Sequence, residues 1–173
     1  MTLAPFAPKT RRIIGIDPGL ASTGWGVIDY SRGKIRYINH GTIETQSKYP
    51  RAERLLVILV SLRQILEDYQ PAEAAVETLY FGRNISSAIP VAEARGVISA
   101  ALAEQGVHVL EFTPNAIKQG VTGVSSADKK QMQQMVRIIL GISDIPQPSH
   151  ASDALAAAIC AANTIPQSPL IPV

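Results

Sequence analysis

Four residues of metal-ligating type fall at the ends of predicted elements in three distant parts of the chain. Asp17 ends the apolar run RIIGID, and Glu77 ends the apolar run AEAAVE. His150 and Asp153 stand three residues apart at the start of the last apolar segment, a spacing that places both on one face of a helix. Carboxylates are ligands for hard divalent cations, which catalyse phosphodiester hydrolysis well. The pattern favours a metal site assembled from three segments.

Each of these residues also has an ordinary structural role open to it. An aspartate before Pro-Gly, such as Asp17, is common in turns, and Asp153 would be favourable at the positive end of a helix dipole. His150 could cap the same helix. A charge at the end of a buried strand, however, is costly without a partner, and no Lys or Arg adjoins Asp17 or Glu77. A divalent cation would be such a partner.

The sequence gives little support to a mechanism with a covalent enzyme intermediate. No serine–histidine or cysteine–histidine pair stands out as a nucleophile with its base. Cys160, the single cysteine, lies in the segment ALAAAICAAN and is predicted to be a small buried helix residue. A chain with one cysteine cannot form an internal disulfide. This composition suits a reducing compartment, so we expect a cytoplasmic protein.

Hydrophobic patterning predicts the strands and helices that must position the four ligands. Three strands come first, followed by a helix, a strand, a helix, a strand and three further helices. This order predicts an α/β fold, with a mixed five-stranded sheet and helices on both faces. The four ligands converge if the first and fourth strands are neighbours. Thr113 is the predicted cap of the third helix, and Ser125 or Ser126 that of the fourth.

Composition places few further limits on function. The 173 residues are 46% hydrophobic and 17% charged, with a net charge of +2, which fits one globular domain whose basic surface, if any, is local. No apolar run approaches the roughly 20 residues of a membrane span, so we expect no membrane partner. Residues 1–11 and 164–173 contain several prolines and are predicted to be flexible tails around a single domain of residues 12–163.

The motifs around these residues resemble the RuvC family of Holliday junction resolvases, which have a ribonuclease H-like fold. The resemblance covers roughly Arg12 to Asn163 and rests on four stretches in the family's order. These are IGIDPGLASTGWGVI, VETLYFGRNISSAIPVAEARGVI, TPNAIKQGVTGVSSADKKQMQQMV and HASDALAAAI. The resemblance implies a homodimeric nuclease that cuts two strands of a four-way DNA junction symmetrically, for recombination and repair.

The resemblance also implies the roles of individual residues. Asp17, Glu77 and Asp153 match the family's metal-binding acids, and His150 matches a fourth position where many relatives have an aspartate. The cofactor is then Mg²⁺ or Mn²⁺, with two ions expected per site. Because His150 would bring a nitrogen ligand, we expect Mn²⁺ to be favoured.

DNA-binding positions follow from the same resemblance. Tyr80 matches an aromatic residue that stacks on an unpaired base near the crossover, a contact worth about 1–3 kcal/mol. Lys118 and Lys129 match basic positions near the scissile phosphate and the DNA backbone, and Arg83 and Lys130 are expected to contribute beside them. Lysines on a helix face are otherwise an ordinary solvated surface.

Two partners besides DNA are expected. A two-fold junction requires two sites related by two-fold symmetry, which an isologous homodimer supplies. The predicted helix from Ser87 to Gln105 is rich in Ala and Gly, so it could pack against its copy or, on one face, against its own sheet. The resemblance further suggests a branch-migration helicase complex of the RuvA and RuvB type.

Three other functions are compatible with parts of the pattern. An actin-like or sugar-kinase-like ATPase half-domain also has an aspartate after its first strand, but such enzymes use two domains and a second phosphate-binding hairpin. A non-catalytic junction-binding module would bind without cleaving, and a general ribonuclease H would cut RNA–DNA hybrids.

Overall fold

The computed structural model describes residues 10–78 and 85–164, apart from the side chains of residues 85–87. Five strands and five helices occur in the predicted order. The strands are β1 (Arg11–Asp17), β2 (Ser22–Ser31), β3 (Lys34–Glu44), β4 (Glu73–Glu77) and β5 (His108–Phe112). The helices are α1 (Arg51–Tyr69), α2 (Ile85–Glu104), α3 (Pro114–Thr122), α4 (Lys129–Leu140) and α5 (Ser149–Ala162).

The strands form one mixed sheet in the order β3-β2-β1-β4-β5. β1, β2 and β3 pair antiparallel, and the connection from β2 to β3 passes through Arg32 and Gly33, both at positive φ, as a tight hairpin requires. β4 is parallel to β1 and to β5. The predicted mixed sheet is confirmed, and β1 and β4 are neighbours, which was the condition for convergence of the four ligands.

Side chains alternate between the two faces of the sheet, so each strand contributes to two hydrophobic cores. The same alternation determines the face from which the acids project. Ile14 and Ile16 of β1 belong to the core shared with α1 and α2, whereas Ile13 belongs to the core shared with α3, α4 and α5. In β4, Ala75 likewise belongs to the second core. Because side chains alternate with a period of two, Asp17 and Glu77 project from the sheet on the α5 side.

Helix α5 lies against β1 and β2 and is buried along nearly its whole length. Between Ala151 and Ala162 every residue is buried except Asp153. A helix that is apolar all round belongs in a protein interior, so the single partly exposed acid in this stretch is conspicuous.

The structure confirms one of the two predicted helix caps and contradicts the other. The Thr113 side chain accepts a hydrogen bond from the Ala116 backbone N–H, as predicted for α3. The predicted cap of α4 at Ser125 or Ser126 is wrong, because those serines lie in a turn upstream and Asp128 is the cap. Asp128 and Gln131 bond each other's backbone N–H groups, so this capping box satisfies two backbone donors.

The predicted flexible tails lie almost wholly outside the described residues and stay predictions, although Arg11 belongs to β1 and forms an ion pair with Glu73. Among residues 10–78 and 85–164, no helix has the length and apolar character needed to cross a bilayer.

Candidate metal centre

Asp17 and Glu77 end adjacent parallel strands. Ile16 and Val76, the residues before them, are register partners in the β1–β4 ladder. Both acids therefore lie at the carboxyl edge of the sheet and on the same face. Burial raises the pKa of Asp17 above its ordinary value, against the opposing effect of a hydrogen bond with His150. The site therefore desolvates the Asp17 carboxylate.

The first turn of α5 brings His150 and Asp153 to this edge. The His150 Nδ1 atom lies 2.7 Å from Asp17 Oδ2. One ligand atom from each of Asp17, His150 and Asp153 lies within 4.8 Å of the others. These three of the four predicted ligands are thus brought together by a strand end and a helix start 133 residues apart along the chain.

Glu77 completes the acidic group from the β4 side. It lines a cleft with Asp153, Lys118 and Lys129. The pKa of Glu77 is raised to about 7, first by burial and then by the neighbouring charges of Asp17 and Asp153, against the opposing charge of Lys118. Three carboxylates that repel one another at a partly buried edge leave the site short of positive charge.

Two lysines from α3 and α4 face the acids across this cleft. Lys129 Nζ donates a hydrogen bond to Asp153 Oδ2 at 3.1 Å, and Lys118 lies near enough to Glu77 to lower its pKa. Lys130 is the next residue of α4 and is exposed. The other two predicted DNA-binding residues, Tyr80 and Arg83, lie outside the described residues.

The donor set fits a divalent cation. Three carboxylates and an imidazole supply oxygen and nitrogen ligands, and the spacing of Asp17, His150 and Asp153 brings their donor atoms around one point. The raised pKa values of Asp17 and Glu77 reflect desolvation and mutual repulsion that a cation would offset.

Sequence reasoning missed several groups that support the site. The cleft has apolar walls that include Ile117 of α3 and Met132 of α4, neither of which the sequence analysis singled out. Thr23 is fully buried, and its hydroxyl donates to the Gly19 carbonyl at 2.7 Å, which secures the turn after Asp17. The cationic partners of the acids come from distant segments, so local sequence around Asp17 and Glu77 gave no sign of them.

A five-stranded mixed sheet with helices on both faces and acids at adjacent strand ends defines a ribonuclease H-like protein. The sequence profile described as "Crossover junction endodeoxyribonuclease RuvC" matches residues 13–161. A relative of that name from Treponema denticola is 50% identical over 151 residues, covering 87% of this chain and 85% of that protein. A Chloroflexus aurantiacus relative of the same name is 49% identical over 90% of this chain and 94% of its own length.

A solved structure agrees with these sequence matches. It is described as T. thermophilus RuvC in complex with Holliday junction substrate, and it superposes with a TM-score of 0.82 at 34% identity, covering 87% of this chain and 92% of that one. The chain belongs to the RuvC family of crossover junction endodeoxyribonucleases. The resemblance described from the sequence is therefore confirmed, and with it the class of enzyme, a DNA hydrolase.

Proposed function

We propose that this chain resolves four-way DNA junctions by hydrolysing one phosphodiester bond in each of two symmetry-related strands. The convergence of Asp17, His150 and Asp153 within 4.8 Å, in a chain whose sequence matches the RuvC family over residues 13–161, carries the proposal. The T. thermophilus protein, bound to a Holliday junction, supports the same choice of substrate.

Asp17, Glu77, His150 and Asp153 would hold the divalent metal of this family. The bound metal would supply a polarised phosphate and a water of lowered pKa as nucleophile. We propose two ions per site, since two ions a few ångströms apart can activate a water and stabilise the leaving oxygen. We also propose a preference for Mn²⁺, since His150 offers nitrogen where a carboxylate would offer oxygen.

The lysines bind and orient the DNA backbone in this proposal. Lys129 and Lys118 already face carboxylates in the cleft, where a phosphate oxygen would compete for the same N–H donors. Their role is sequence-independent, because phosphate contacts set the position of DNA without reading bases. Tyr80 as a stacking residue, with Arg83 and Lys130 as further backbone contacts, follows from the family resemblance alone.

Resolution in pairs requires a homodimer, and the outer surface of α1 and α2 supports one. Leu56 and Val60 of α1 are 57% and 55% exposed, and Ile89 of α2 is 47% exposed. Ala94 of α2 is buried against the sheet, whereas Gly96 is exposed with open space around it. We define Leu56, Val60, Ile89 and Gly96 as the outer apolar surface and propose it as the dimer contact.

Substrate comparison with matched variants tests the function. Wild type and Asp17→Asn are incubated with a four-way junction, a linear duplex and an RNA–DNA hybrid, in Mg²⁺ and in Mn²⁺. We expect wild type to cut the junction in paired positions and to leave the other two intact, while Asp17→Asn binds the junction without cutting it. Binding survives because phosphate attraction comes from the lysines.

Each alternative has its own outcome in this experiment. Cleavage of the hybrid would identify a general ribonuclease H, and junction binding without cleavage by wild type in either metal would identify a binding module. The ATPase half-domain requires a separate nucleotide titration, in which saturable ATP binding would identify it. Cleavage by Asp17→Asn at more than about a tenth of the wild-type rate would exclude Asp17 as a ligand, since loss of a metal ligand costs far more than that.

Two further assignments complete the proposal. A cytoplasmic location agrees with the single buried, unpaired Cys160. Cooperation with a helicase complex of the RuvA and RuvB type is a prediction of the resemblance, to be tested by co-purification with the junction present.

A further inference from the structure

Gly24 lies between Asp17 at the end of β1 and the first turn of α5, which carries the other candidate ligands His150 and Asp153. It lies on β2 directly opposite Asp17 of β1, as the Cα partner of that residue in the antiparallel ladder. Directly opposite residues project from the same face of a sheet. The position that a Gly24 side chain would occupy is therefore beside the Asp17 carboxylate, on the face covered by α5.

The backbone of His150 occupies that position instead. A Cβ built on Gly24 would lie 2.0 Å from the carbonyl oxygen of His150, 2.3 Å from its carbonyl carbon and 3.0 Å from the Ala151 nitrogen. All three are main-chain atoms of the first turn of α5, so no side-chain rotation relieves the overlap. The first turn rests on β2 at a distance that only glycine permits.

Two other glycines of the sheet, Gly15 and Gly26, contact α5 at residues outside the candidate ligand set. A Cβ on Gly26, two residues along the same face of β2, would meet the Leu155 side chain at 2.5 Å and the Leu155 backbone nitrogen at 3.2 Å, more than one helical turn beyond His150. A Cβ on Gly15 would meet the Ala154 carbonyl oxygen at 1.8 Å. Of these three, Gly24 alone lies directly beneath a residue of the candidate ligand set.

We propose that Gly24 is a positioning residue for the metal centre, whose missing side chain sets the separation of His150 and Asp153 from Asp17. This inference rests on the proposed metal-dependent function. The 2.7 Å contact between His150 and Asp17 joins α5 to β1 at this point, and Gly24 supplies the surface against which the turn is seated. Adding one methyl group must lift the turn and carry both α5 ligands away from the strand.

Substitution by alanine should separate positioning from general stability. Gly24→Ala and Gly26→Ala both crowd the contact between β2 and α5, so both should lower the melting temperature. Only Gly24→Ala should weaken Mn²⁺ binding, by about tenfold or more, as expected when a group that orients metal ligands is altered. Gly26→Ala should keep the wild-type affinity, because the close overlap is with the Leu155 side chain, which can shift, and the Leu155 backbone nitrogen at 3.2 Å has to move by only a few tenths of an ångström.

Direct Mn²⁺ binding to the DNA-free protein is the measurement, by the paramagnetic resonance signal of the free ion. Wild type, Gly24→Ala, Gly26→Ala and Asp17→Asn are titrated in the same stabilising osmolyte, which favours the folded state of the weakened variants. Circular dichroism verifies folding before each titration. Junction affinity is measured without metal, and we expect it to be unchanged in both glycine variants.

The four proteins distinguish failure of this inference from failure of the proposed function. If Asp17→Asn binds Mn²⁺ as tightly as wild type, the metal centre itself is misplaced. If Asp17→Asn loses the ion while Gly24→Ala keeps wild-type affinity, only the positioning role is wrong. Equal weakening by Gly24→Ala and Gly26→Ala, or a Gly24→Ala chain that does not fold in osmolyte, would assign Gly24 to the stability of the fold and overturn the proposal.

Discussion

At the scale of single residues, Glu77 gives the clearest consequence of the site's electrostatics. Its pKa of about 7 lies above the ordinary value of 4.5, mainly because of burial and then because of Asp17 and Asp153. Between these two pH values the folded protein retains a proton that the unfolded chain has lost. The free energy of unfolding therefore falls as pH rises through this window and stays reduced above it.

Glu77→Gln should accordingly stabilise the metal-free protein at pH 8. The full shift corresponds to about 3 kcal/mol, and partial exposure of the side chain reduces this to about 1–2 kcal/mol. The gain should vanish near pH 4, where Glu77 is protonated in both states. Urea unfolding in a chelator across this pH range measures it, with the exposed Glu67→Gln as control. A Glu77→Gln variant less stable than wild type at pH 8 would contradict the argument.

His150 raises a second question at this scale, because its ring can act in two ways. Through direct ligation it replaces an oxygen ligand by nitrogen, whereas as an acid or phosphate contact it stays off the metal. If it is a ligand, His150→Asp should raise Mg²⁺-dependent cleavage relative to Mn²⁺-dependent cleavage, because Mg²⁺ prefers oxygen. Junction cleavage rates over a concentration series of each metal measure this ratio.

An unchanged metal ratio in His150→Asp would leave a site built from three carboxylates. The natural control is Asp153→Glu, which keeps the ligand type and changes only its reach. It should reduce cleavage in both metals together. The comparison therefore distinguishes the chemistry of the donor atom from its position.

At the scale of elements, the α4 N-terminus connects a helix cap to the DNA-binding surface. Asp128 caps α4, and Lys129 follows as its first residue while pairing with Asp153. Asp128→Ala should cost about 1 kcal/mol of folding stability, because a backbone donor loses its partner. It should also weaken junction binding, since fraying of the first turn releases Lys129 from the cleft.

Ser125→Ala provides the matched control for that prediction. Ser125 precedes the same helix and is exposed in a turn, so its loss should change neither stability nor binding. Thermal unfolding and junction titration at two salt concentrations measure both variants. If Ser125→Ala destabilises the protein as much as Asp128→Ala does, the capping box is not what secures this helix.

The elements also show which parts of the site the sequence could reveal. Apolar runs ending in acids located Asp17 and Glu77, because strand burial and period-two alternation are local properties. The contacts of His150 with Asp17 and of Lys129 with Asp153 join residues 133 and 24 positions apart, so only the tertiary structure establishes them. The cap of α4 was mistaken because Ser and Asp are almost equally good caps, and only the actual start of the helix decides between them.

At the scale of the whole molecule, the candidate metal centre and the outer apolar surface lie on opposite sides of the sheet. The α5 side carries the acids and the lysines, whereas α1 and α2 cover the opposite side and present the outer apolar surface. A dimer formed through that surface leaves both metal centres free to engage DNA. The proposed division gives one small domain a surface for self-association and a separate cleft for nucleic acid.

Leu56→Lys should therefore convert the protein to monomers while leaving its fold and metal binding intact. A lysine can extend into water in the monomer, but in a two-fold contact it places two charges in an apolar interface. Cleavage should change from paired incisions to slow single nicks, because one bound monomer presents one site.

Sedimentation measures the loss of the dimer, and a supercoiled cruciform substrate distinguishes single nicking from linearisation. Ile138→Lys, at a 59% exposed position on α4, is the matched control and should remain dimeric. If Leu56→Lys stays dimeric and still linearises the cruciform, the dimer uses another surface.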